Sequence, residues 1–89
     1  MNNIEIIISA IDKILHQTGH KSADEIGSYI VGATIVRDDI DDYYKKYPLL
    51  EEVAELGAEL ETIKDSYLAQ DKLAEIKKKF HELKSQIGQ

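Results

Sequence analysis

Apolar residues return at steps of three and four along nearly the whole chain, a period that predicts helices. Ile4, Ile7, Ile8, Ile11, Ile14 and Leu15 define a first amphipathic helix over about 3–18, with Asn2 and Glu5 as a capping box and Gly19 as its left-handed terminator. "SADE", Ser22 to Glu25, is a second capping box directly ahead of Ile26, Tyr29, Ile30, Ala33, Val36, Ile40, Tyr43, Tyr44 and Tyr47. Together they predict one helix over about 22–46, roughly 37 Å long at 1.5 Å per residue. Pro48 ends it, because the residue before a proline is pushed out of helical geometry. "YIVGATIV" is rich in β-branched residues, so propensity leaves a strand open over 28–36, while period and capping favour the helix.

After Pro48, the positions Leu49, Val53, Leu56, Leu60, Ile63 and Tyr67 step by four and three in turn, a heptad seam that predicts a helix over about 49–69. Leu73, Ile76, Phe80, Leu83 and Ile87 repeat the rhythm out of phase, predicting helix over about 72–87. The phase slips near Ala69 to Lys72. Either Asp71 caps a separate helix there, or one long helix crosses a discontinuity. The expected fold is a single all-α domain over 1–89, an antiparallel hairpin or bundle of three to four amphipathic helices. The two heptad seams exceed what so short a chain needs for itself, so a homodimer is expected, with Leu73, Ile76, Phe80, Leu83 and Ile87 as its interface.

Composition narrows the chemistry. Eighty-nine residues make one domain, and the absence of cysteine removes disulfides, thiolate catalysis and cysteine-bound zinc. No basic segment precedes the early apolar run, which stops at Ser9, and the longest uncharged stretch, Ile26 to Val36, falls well short of a bilayer span. A soluble, cytoplasmic protein with no membrane contact is expected. Residues 1–71 carry six Lys/Arg against fifteen Asp/Glu, leaving −9, while residues 72–89 carry five lysines against two glutamates, leaving +3. An acidic body repels phosphates, so no nucleic-acid partner is expected. The basic segment "KLAEIKKKFHELK" has its complement in the acidic helices before it, within one chain or across a dimer.

Acidic clusters are the remaining candidates for chemistry. "RDDIDDYYKKYP" sets four aspartates within five positions, and on a continuous helix Asp38, Asp41 and Asp42 face water while Asp39 flanks the apolar face. "DDIDD" resembles the DDxxD pattern by which trans-prenyltransferases hold magnesium, which implies Asp38 and Asp42 as ligands. That family uses a second such motif, which this chain does not contain. "EEVAEL" resembles the EExxE element of the all-α nucleotide pyrophosphohydrolases. The resemblance implies Glu51, Glu52 and Glu55 as magnesium ligands beside a nucleotide's phosphates. The family pairs this element with ExxD on the next helix; here Glu75 is followed three residues on by Lys78, which has no lone pair to give a metal. The three glutamates also fall away from the seam, where acids in a first helical turn complement the helix dipole.

His16 and His20 are four apart, but Gly19 separates them, and Ser9, Ser22, Ser28, Thr34 and Ser66 have no histidine three or four residues away. Tyr43, Tyr44 and Tyr47 read as rings closing one end of a helical hairpin with their hydroxyls in water. The sequence therefore assigns no catalytic, metal or cofactor site. It points to a small regulatory or binding protein, of adaptor, inhibitor or immunity type, acting on an unidentified protein partner. The alternative is a magnesium-dependent nucleotide hydrolase built on Glu51, Glu52 and Glu55.

Overall fold

The computed structural model of the protein describes residues 3–17, 19, 21–35 and 38–88. Among these described residues five helices follow in order: α1 (Asn3–Leu15), α2 (Ala23–Thr34), α3 (Ile40–Lys46), α4 (Pro48–Thr62) and α5 (Ser66–Ile87). No strand occurs among the described residues, so the β-branched stretch is helical through Thr34. Val36 lies outside the described residues, as do Asn2 and Thr18 at the two ends of the first predicted helix.

α1 buries all six of its periodic apolar side chains. Its terminator is not the one expected, since Gly19 does not take a positive φ and only Gly88 does among the described residues. Gly88, at φ 90°, instead closes α5, donating its N–H to the carbonyls of Lys84 and Ser85. Ser22 does sit at the N-cap position of α2, but its hydroxyl donates to Glu25 Oε1 at 2.9 Å and not to the backbone. The Asp24 carboxyl is held below its ordinary range, first by the Ser22 hydroxyl. One hydroxyl proton serves one acceptor at a time, and the Glu25 bond is the one with hydrogen-bonding geometry. Without a bond to the helix's own N–H groups, Ser22→Ala costs less than the ~1 kcal/mol of a full cap.

The continuous helix predicted over 22–46 is broken between Thr34 and Ile40. Thr34 is fully buried, and its hydroxyl turns back to the Ile30 carbonyl at 2.9 Å, a bond that bends helices and weakens them. The β-branched run Thr34, Ile35, Val36 adds no helix propensity, and the aspartates beyond it suit a helix start better than an interior. Asp39 takes the N-cap position of α3, with Asp41 and Asp42 in its first turn. The Asp39 carboxylate accepts from Asn3 Nδ2 at 2.6 Å, tying the start of α3 to the start of α1. A single residue, Tyr47, joins α3 to α4, and Pro48 occupies the first turn of α4, where its missing N–H has no cost.

The boundary between the last two helices is at 63–65 and not at 69–72. Asp65 is the cap: its carboxylate accepts from the N–H groups of Tyr67 and Leu68 at 2.9 and 3.1 Å. Asp71 lies inside α5 and is exposed. Tyr67, assigned by spacing to the seam of the preceding helix, is 78% exposed, whereas Ala69 is buried and extends the second seam by one step.

Packing centres on α4, which meets α2, α3 and α5, while α1 lies on α2. α2 and α4 approach closely where they cross at Gly27 and Gly57. A β-carbon on Gly27 would stand 2.5 Å from the Gly57 carbonyl oxygen, and one on Gly57 would stand 2.6 Å from Ile30 Cγ2. α4 therefore buries a broad face, with Leu50, Ala54 and Gly57 joining Val53, Leu56 and Leu60. Leu49, placed in the seam by spacing, is only partly buried. α5 folds back on α4 and closes the core. Ile76, Phe80 and Leu83 are 0, 3 and 0% exposed within a single chain, and Leu73 and Ile87 pack partly against the same core. The seam that spacing reserved for a second copy is thus covered by the chain itself, because the turn at 63–65 returns α5 onto α2 and α4.

Candidate functional site

Glu51, Glu52 and Glu55 occupy the first two turns of α4, and all three side chains are exposed. Glu52 alone turns toward the neighbouring helix, where its Oε1 accepts from Lys79 Nζ of α5 at 3.0 Å. One heptad further along α4, Glu59 pairs with Lys72 at 3.5 Å. Residues seven apart on α4 thus meet residues seven apart, in reverse order, on α5, which is the register of an antiparallel pair. The α5 positions facing the glutamates bring ammonium groups in place of carboxylates. A third bridge, Lys84 Nζ to Asp12 Oδ1 at 3.1 Å, ties α5 to α1. The basic helix therefore finds acidic complements within its own chain, on α4 as expected, and on α1 where the acids of the predicted 22–46 helix were expected as well.

Glu52 raises the pKa of Lys79 above 10.5 through this hydrogen bond. Its contribution to stability is complete below pH 10.5 and is lost as the pH climbs through the higher folded value. Both partners are reached by solvent, so the bridge is screened. Replacing Lys72 and Lys79 together by glutamine is expected to lower the urea midpoint slightly at low salt and by less at high salt. Urea melts at two ionic strengths provide the check.

The aspartate cluster stands at the start of α3. Asp38, Asp41 and Asp42 are exposed, and Asp39 is half-buried against Asn3. No group of three or more His, Asp or Glu side chains that could hold a metal ion occurs among the described residues. His20 lies outside the described residues. His16, past the end of α1, brings its Nδ1 within 2.7 Å of the Asp12 carbonyl, and because a carbonyl only accepts, Nδ1 is the donor.

The three tyrosines pack partly against the core, as expected, but the hydroxyl of Tyr44 is not in water. It is buried and makes no hydrogen bond of good geometry, although the Thr34 side chain stands near enough to act on it. Burial raises its pKa above 10.0; Thr34 opposes the shift, and the charges of Glu51, Asp41 and Glu55 add to it. The folded protein thus keeps this proton where the unfolded chain releases it. Stability is unaffected below pH 10.0 and falls as the pH rises from there through the folded value. Tyr44→Phe removes that hydroxyl. It is expected to stabilise the fold by about 1 kcal/mol at neutral pH and to flatten its alkaline decline, both readable by chemical melts across pH.

Among the described residues no helix is long and apolar enough to cross a membrane. No family model matches the chain, and neither a curated protein nor a solved structure does.

Proposed function

We propose that this chain is a small helical binding protein, of adaptor, inhibitor or immunity type, that acts through the surfaces of its folded body on another protein. The observation that carries the reading is the pairing of Glu52 with Lys79 and of Glu59 with Lys72. A hydrolase of the kind that EExxE suggests needs carboxylates converging from facing helices onto magnesium. Here the facing positions supply cations that neutralise the glutamates, while Glu51 and Glu55 extend into solvent. What remains for function is surface: an acidic body and a basic helix along one side.

Incubation with nucleoside triphosphates and magnesium is expected to release no phosphate above background, and cross-linking in the source cell to capture one protein partner. Magnesium-dependent turnover that vanishes when Glu51, Glu52 and Glu55 are replaced together by glutamine overturns the reading.

A further inference from the structure

α3 is lightly anchored. It has seven residues, and Ile40 is its one buried side chain, whereas α1 and α4 bury six each. A helix this short does not hold itself, because the cost of its nucleus is offset by too few hydrogen bonds. Its hold on the body is Ile40, the partly buried rings of Tyr43, Tyr44 and Tyr47, and the bond from Asn3 Nδ2 to the Asp39 carboxylate. α5, by comparison, is tied through Lys72 to Glu59, Lys79 to Glu52 and Lys84 to Asp12. Lys45 and Lys46 of α3 make no such bridge among the described residues. Lys46 lies instead over the ring of its neighbour Tyr47, 5.5 Å from the centre.

Two features oppose its seat. Asp41 of α3 and Glu51 and Glu55 of α4 all act on the hydroxyl of Tyr44, so both helices bring carboxylates near one another at their joint. None of the three forms an ion pair among the described residues, and like charges held close repel. The Tyr44 hydroxyl is itself buried and makes no hydrogen bond of good geometry, a loss that opening to water repairs. We infer that α3 is a strap that leaves and returns to the body as a unit while the other helices stay folded, and that the carboxylates across its joint with α4 set how often it opens. Segments with few buried contacts open locally at less cost than the whole domain. The inference does not rest on the binding-protein reading; it holds for the chain whatever it binds.

Native-state hydrogen exchange provides the test, read at Tyr44 to Tyr47, the amides whose bonds close α3. The Tyr47 N–H, for example, donates to the Tyr43 carbonyl at 2.7 Å. These amides are expected to exchange about ten-fold or more faster than the slowest amides of α4. Low urea should speed them, because lifting Ile40 and the tyrosine rings exposes surface, but by less than it speeds the amides of α4. Glu55→Lys turns a repulsion across the joint into an attraction. It is expected to slow α3 exchange about three-fold or more at low salt, and by less at high salt. Asp71→Lys makes the same change of charge at an exposed site on α5, beside Ile63 at the far end of α4, and should leave α3 within about two-fold. Tyr44→Phe removes the second opposing feature and should slow the same amides about five-fold.

If the α3 and α4 amides exchange at one rate with one urea slope, α3 opens only when the whole domain unfolds, and the strap is overturned. Exchange at α3 that ignores urea means single turns fraying in place, which overturns it as well. Equal responses to Glu55→Lys and Asp71→Lys, or none to either, overturn the control by charge across the joint.

Discussion

Gly27→Ala is expected to destabilise the protein by about 3 kcal/mol, although alanine is the better helix former by about 1 kcal/mol. The new β-carbon would lie 2.5 Å from the Gly57 carbonyl oxygen and 2.8 Å from the Glu61 amide nitrogen. Both are backbone atoms of α4, so no side-chain rotation relieves the clash and the two helices must part. For a domain of this size each kcal/mol corresponds to about 4–8 °C in Tm, so a fall of well over 10 °C is expected. Gly32→Ala provides the control on the same helix. Nothing stands within 4 Å of a β-carbon there, so the propensity gain is unopposed and the variant should be more stable by about 0.5–1 kcal/mol. Thermal melts of the two variants must move in opposite directions. If Gly27→Ala melts with or above the wild type, α2 and α4 do not cross at Gly27 and Gly57.

That crossing also marks the limit of what spacing reveals. Large apolar residues at helical period placed α1 and the buried side of α5 correctly, because each shows the core one stripe; on α2 they found Ile26 and Ile30 but also counted Tyr29, which is 55% exposed, and carried the helix past its end at Thr34. α4 is central and shows two, and the second is lined partly by Ala54 and Gly57, whose small size is invisible to a count of large side chains. The break after Thr34 was hidden because Ala33 and Ile40, seven apart, keep the period of a continuous helix across it. At 63–65 no glycine or proline marks the turn; the legible signal was Asp65 ahead of Ser66, together with Ala69 extending the later seam backward.

The charge pairs were closer to the surface of the sequence. Glu52 and Glu59 repeat at the same interval as Lys72 and Lys79, so an antiparallel hairpin brings both pairs together at once.

Truncating Phe80 to alanine is expected to cost about 3–5 kcal/mol, the usual range for a buried aromatic. A domain of this length holds on the order of 4–13 kcal/mol in total, so the variant should be marginally folded. Phe80 is 3% exposed, in a core that Ile76 and Leu83 complete from the same helix. Lys84 Nζ also lies 5.4 Å from the centre of its ring, close enough for a cation–π contact that truncation also removes. Because these partners belong to one chain, the loss is a property of the single molecule. Denaturant midpoints of wild type and variant should differ by the same amount at low and high protein concentration. A difference that grows on dilution would mean that Phe80 is buried against a second copy, since only a bimolecular contact links stability to concentration. The sequence alone favours that second arrangement, through two seams longer than one short chain needs; the turn capped by Asp65 permits the first, by returning α5 onto the helices that precede it.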